Sequence, residues 1–191
     1  MADLSRFYRF IAISLFIVFS NYSNAQTSSY KISAFKIYIS GTTNMHDFES
    51  DVTQVNGTLI MDSLFNVKTL TIDIPVSSIK SGNSIMDKKT YNTFDAEKNP
   101  QINFALTNLD FNNRSPYKLL IKTHGNLSMG GTKKAIYLTA KGKMLSKNKF
   151  NVEGKVVLKM TDFGMTPPTW LIGLMKVGDE ITVNYNVTFT E

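Results

Sequence analysis

From Phe150 to Met160 every even-numbered position is apolar or glycine, and the odd positions, Val157 apart, are polar or charged. The same rhythm returns near the C-terminus, where Ile181, Val183, Tyr185, Val187 and Phe189 alternate with Thr182, Asn184, Asn186, Thr188 and Thr190. Successive side chains on a strand point to opposite faces, so a period of two predicts half-buried antiparallel strands with one dry and one wet face. A chain made only of such strands must close into a barrel or stack as two sheets.

Eight strands are predicted, over roughly 30–40, 51–62, 67–77, 101–110, 117–129, 133–145, 149–162 and 179–190. Several links have hairpin length and turn chemistry: Asn112–Pro116, Gly130-Gly131 and Ser146–Asn148. Hairpins in sequence order make a meander, and eight meandering strands that close give an up-and-down barrel. The fold class expected is therefore all-β, an eight-stranded antiparallel up-and-down barrel. Two connections are longer. Residues 78–100 can carry a short helix capped by Asn83-Ser84, with Ile85, Met86, Tyr91 and Phe94 on it, then a helical turn at Asp95–Lys98 stopped by Pro100. The stretch Gly164–Gly178 holds Trp170, Leu171, Ile172, Leu174 and Met175 with a single charge, Lys176, and is too apolar to be disordered.

Residues 1–25 read as an export signal rather than as fold: Arg6 and Arg9 precede the apolar run Phe10–Phe19, and Ser23-Asn24-Ala25 offers small residues for cleavage before Gln26. The run is too short to span a bilayer. Residues 26–191 then form one domain, periplasmic or secreted. The chain has no cysteine, so disulfides, thiolate metal sites and a lipid anchor at the cleavage point are not expected. Without Arg6, Arg9 and Asp3 the net charge is +5 rather than +6. The lysines are dispersed along polar faces, which favours solubility and protects sheet edges. Weak, transient attraction to an anionic membrane surface is the secondary expectation. Nucleic acid is not expected as a partner, because no aromatic–basic platform is present.

The apolar register assigns the barrel wall. Its candidate lining is Phe35 and Ile37, Leu59 and Met61, Ile72 and Ile74, Phe104 and Leu106, Ile121 and Leu127, Leu138, Val156, Leu158 and Met160, and Val183, Tyr185 and Val187. An eight-stranded barrel can be filled by these side chains or hold one small ligand. Gly57, Gly125, Gly142 and Gly154 fall in the inward register and thin the wall, and all but one of the nine methionines lie beyond the leader, where their flexible side chains suit a hydrocarbon. Equally, the glycines can mark bulges and the methionines fill gaps. Both readings stay open on these residues alone.

Four spaced segments carry a resemblance. Gly41-Thr42-Thr43-Asn44-Met45-His46-Asp47-Phe48-Glu49 resembles the opening motif of the YceI-like family of bacterial polyisoprenoid-binding proteins. Ile74-Pro75-Val76, Lys80-Ser81-Gly82 and Phe94–Phe104 are similar to its most diagnostic block. Gly125–Lys133 resembles its Gly-x-Leu strand and Gly-x-Thr-Lys turn, and Thr161–Gly164 with Val177–Thr182 its closing pattern. Together they span the chain beyond the leader. The resemblance implies a lipocalin-like barrel, bacterial export, and a long isoprenoid or other amphiphilic lipid in the lumen. Pro167–Met175 is more hydrophobic than is usual in the family.

Catalysis has little support, and no enzyme, cofactor or metal is expected. His124 falls on the wet face of the fifth strand. His46 sits beside Asp47 in a turn, where it can make a local hydrogen bond or a polar contact at the barrel mouth. No nucleophile elbow or phosphate loop occurs. Lys88 and Lys89, on the helix, are the candidates for a phosphorylated head group. With Tyr91 and His46 they form the predicted mouth, and Trp170, Leu171, Leu174 and Met175 the predicted lid, membrane-touching tip or plug. The leading expectation is an exported lipid carrier or sequestering protein. The alternatives are a filled barrel that binds a protein partner through the 167–175 loop, and an enzyme acting on a lipid head group through His46.

Overall fold

The computed structural model describes residues 27–62, 66–115, 118–170 and 173–191. The leader and Leu171 lie outside the described residues. The strands are β1 (Thr27–Thr43), β2 (Asp47–Val52), β3 (Asn56–Asp62), β4 (Val67–Pro75), β5 (Ile79–Lys80), β6 (Gln101–Ser115), β7 (Lys118–Met129), β8 (Thr132–Ser146), β9 (Lys149–Lys159), β10 (Thr169–Trp170) and β11 (Met175–Thr190), with one helix, α1 (Ser84–Thr93). Neighbours run β11-β9-β8-β7-β6-β4-β3-β1, all antiparallel, and β1 pairs back onto β11 to close the ring. β2 and β3 are two halves of one broken stave along β1: β2 pairs with Tyr38–Thr42 and β3 with Thr27–Lys31. Counted by staves, the chain is a closed eight-stranded barrel with its helix between the third and fourth staves, as the alternation predicted.

The long connections gather at one end. There lie the β1–β2 turn, the 76–100 insert, Gly130-Gly131 and the 160–174 segment, and their apolar side chains stop that end of the tube. Phe163, Ile79 and Val76 are the most completely buried large side chains among the described residues, and Phe94, Met129 and Met165 belong to the same buried cluster. Asn83 caps α1, its carboxamide oxygen accepting from the Ile85 and Met86 amides at 2.9 and 3.3 Å. Asp95 is left-handed (φ 48°), and the Ala96 amide returns to the Tyr91 carbonyl at 2.9 Å, ending the helix; the Lys98 and Asn99 amides then donate to the Asp95 carbonyl at 3.0 and 2.8 Å, the further turn expected before Pro100. Asn112–Ser115, expected in a turn, continue β6 opposite Lys118–Ile121, beyond register shifts after Leu106 and Leu109.

Two seams of the barrel are incomplete: β4 and β6 pair only over Thr71–Pro75 and Gln101–Ala105, and β8 and β9 only from Ala140–Gly154 to Ser146–Lys149. Residues 132–139 pair with β7 and residues 155–159 with β11, but among the described residues no ladder joins these two stretches to each other.

Candidate functional site in the barrel lumen

The inward residues of all eight staves surround a cavity of about 220 Å³. Ile72, Ile74, Leu138, Val156 and Val183 point into it from mid-strand and yet are only half-buried, which a filled core would not leave. The tube is hollow. An apolar cavity of roughly 150 Å³ already stays dry and accepts a benzene-sized guest. This lumen takes a segment of alkyl or isoprenyl chain, and a longer tail must leave it.

Contrary to expectation, the glycines do not thin the wall; they make room indirectly. Side chains from neighbouring positions lie across them: the Phe104 ring over Gly125, Phe150 over Gly142, Tyr185 over Gly154, and Ile32 with Ile72 over Gly57. A Cβ built on Gly154 would stand 2.5 Å from the Tyr185 hydroxyl oxygen. Each missing side chain lets a larger one lie flat against the wall, so the void sits on the axis instead.

Of the predicted lining, Ile37, Leu59, Ile72, Ile74, Phe104, Leu106, Ile121, Leu127, Leu138, Val156, Leu158, Val183, Tyr185 and Val187 border the cavity. Three do not. Phe35 pairs opposite Val187, in phase with Ile37, but is 37 % exposed beside the bulge between Ile32 and Ala34, where residues 33–36 are exposed in succession. Met61 and Met160 are buried in the surrounding core instead. Val52, Leu109, Thr123, Ala140 and, from the insert, Ile79 and Phe94 also line the space. Leu109 could be found only by knowing that β6 changes parity after Leu106.

Two hydroxyls are the polar groups of this lining. Thr123 Oγ1 donates to the Asn108 carbonyl across the β6–β7 irregularity. Tyr185 is the other. Burial pushes its phenol up to about 12, and its hydroxyl has only a long contact, 3.4 Å, to the Thr139 carbonyl.

The predicted mouth residues collect at the stopped end, and none borders the cavity. His46 is exposed, its Nδ1 2.8 Å from the Asp47 carbonyl. Lys88 and Lys89 are exposed on α1. The Tyr91 hydroxyl donates within reach of the Ser77 and Ile79 carbonyls at 3.0 and 3.2 Å and accepts from Lys80 Nζ at 2.6 Å, so it fastens α1 to the insert. Asp87 is engaged as well. Burial opposes its ionisation, but hydrogen bonds from the Ser81 amide and hydroxyl, with Lys80 nearby, outweigh that and hold its carboxyl below the usual range. His124 is half-buried with its ring edge-on to Tyr137 at 4.0 Å. Trp170 pairs with Met175 in a small hairpin, both half-buried, and Leu174 is 73 % exposed at its turn.

The family signature decides the relationship: the YceI-like domain matches residues 21–189. The chain belongs to the YceI-like family. Comparison with curated proteins returned no match. Among solved structures, this YceI-like chain is similar to a polyisoprenoid-binding domain from Saccharophagus degradans implicated in plant cell wall breakdown, with TM-score 0.66, 10 % identity, and coverage of 86 % of this chain and 99 % of the other. It is also similar to Burkholderia cenocepacia BcnA, with TM-score 0.62, 16 % identity, and coverage of 81 % and 95 %. A Campylobacter jejuni YceI protein superposes with TM-score 0.55 at 18 % identity, covering 90 % and 88 %. At such identities these likenesses speak to the barrel alone.

Proposed function

We propose that this YceI-like protein is an exported lipid binder that holds the tail of an isoprenoid or similar single-chain amphiphile in its barrel, for carriage or sequestration. The observation that carries the reading is the hollow, almost wholly apolar lumen. The family's polyisoprenoid-binding member and the leader-like residues 1–25 support it. Two hydroxyls line the space, with no carboxylate, imidazole or amine, so the lumen is equipped to hold a chain rather than to transform one. Burying on the order of 300 Å² of tail releases about 7 kcal/mol gross at roughly 25 cal/mol per Å². Ordering of the tail subtracts part of this, which leaves affinities weaker than about 10 μM and little discrimination among tails.

Calorimetric titration with farnesol tests the reading. A saturable single site with a negative heat-capacity change is expected, the mark of apolar burial. Its loss on substituting Val183→Trp, in a variant that keeps its β-sheet spectrum, assigns the site to the lumen. Heat of dilution alone, or binding that survives the substitution, contradicts it.

A further inference from the structure

Outside the barrel, where the β8–β9 ladder stops, lies a second concavity of about 640 Å³. Its walls are mainly outward residues of β1, β7, β8, β9 and β11, and they mix lysines and amides with the apolar surface of Tyr38 and Leu120. Lys36, Lys141 and Lys155 face it against one carboxylate, Glu153. Asn186 Nδ2 reaches Glu153 Oε2 at 3.4 Å, so the acid is partly engaged by its neighbour. None of the three lysines is in an ion pair among the described residues.

Two residues border both the groove and the lumen, Ala140 and Tyr185. The Tyr185 ring lies over Gly154, where no side chain backs the wall, and Ala140–Gly154 is the last pair before the seam opens. Ala140 and Tyr185 therefore form the partition between the oily axis and the lysine-lined groove, and its larger part is the phenol. Its hydroxyl is held only by the long contact to Thr139.

We propose that this groove is the head-group site of the bound amphiphile: a phosphorylated head sits among Lys141, Lys155 and Lys36, and the tail passes Tyr185 into the lumen. This rests on the lumen holding a tail, as proposed above. A cationic groove joined to an apolar tube through one movable side chain matches an anionic amphiphile at both ends. It also answers where a tail longer than the lumen goes, because the opposite candidates, Lys88 and Lys89, sit on an insert whose apolar residues plug the barrel.

Decyl phosphate and decanol, titrated in parallel, separate the claims. The native protein is expected to bind decyl phosphate about tenfold more tightly than decanol, the contribution of two charge-assisted contacts at a partly solvated site. Lys141→Gln/Lys155→Gln should abolish that preference and leave decanol binding unchanged, while Lys88→Gln/Lys89→Gln keeps it. Equal affinities in the native protein overturn the head-group site and leave the lumen standing. So does a preference that survives Lys141→Gln/Lys155→Gln or disappears with Lys88→Gln/Lys89→Gln. If neither compound binds, the lumen reading falls and takes this site with it.

Discussion

Gly125 shows how one residue shapes the lumen. Because it has no side chain, the Phe104 ring lies flat across it, and a Cβ there would also stand 2.9 Å from the Ala105 carbonyl oxygen. The backbone cannot easily yield, so Gly125→Ala must swing the ring toward the axis. The expected result is a loss of about 1–3 kcal/mol in urea unfolding together with weaker farnesol binding, since the displaced ring occupies ligand space. Asp179 makes a separate point at the stopped end. The Thr161 hydroxyl at 2.6 Å and amide at 2.9 Å hold its carboxyl below the usual carboxylate range. A depressed folded value stabilises the protein above the ordinary carboxylate range, and that stabilisation is lost as pH falls through the folded value. Melting temperatures measured from pH 7 to pH 2 should therefore fall less steeply on the acid side in Asp179→Asn than in the native protein, from a lower starting point.

At the scale of elements, the alternation was readable wherever the ladder is regular. β9 and β11 pair from Glu180–Lys159 to Thr190–Lys149 without a shift, and the inward residues expected from Val156, Leu158, Val183, Tyr185 and Val187 border the lumen. Where the backbone shifts register, parity flips and no local signal announces it, which is why Leu109 was not expected inside. The connections were harder still. Their helix cap was legible in Asn83, but which end they seal depends on contacts far apart in sequence. The 169–176 hairpin illustrates this. Asn44, from the β1–β2 turn, donates to the Leu174 carbonyl and accepts from the Lys176 amide, both at 2.8 Å. Asn44→Ala should speed hydrogen exchange at the Lys176 amide by removing its partner, while farnesol affinity stays unchanged because the hairpin does not line the cavity. A fall in affinity would show that the hairpin acts as a lid.

At the scale of the whole molecule, function follows from two features of a closed sheet. Closure removes the sheet edges and points one face of every stave at a common axis, and the side chains that lie over Gly57, Gly125, Gly142 and Gly154 keep that axis open. One end is stopped by Phe163, Ile79 and Val76, so the tube is a vessel with a sealed base. The β8–β9 seam, like the β4–β6 seam, is laddered over only part of its length. Sequence could set the apolar faces but not the volume between them, since volume depends on how rings from different staves lie against one another.

The most direct test of the hollow-vessel account is organic extraction of the protein purified from its native host, followed by mass spectrometry of the extract. The account predicts an amphiphile with an alkyl or isoprenyl tail at close to one molecule per chain, and its disappearance from protein carrying Val183→Trp. An extract with no such molecule at comparable stoichiometry, or one that Val183→Trp leaves unchanged, would contradict it.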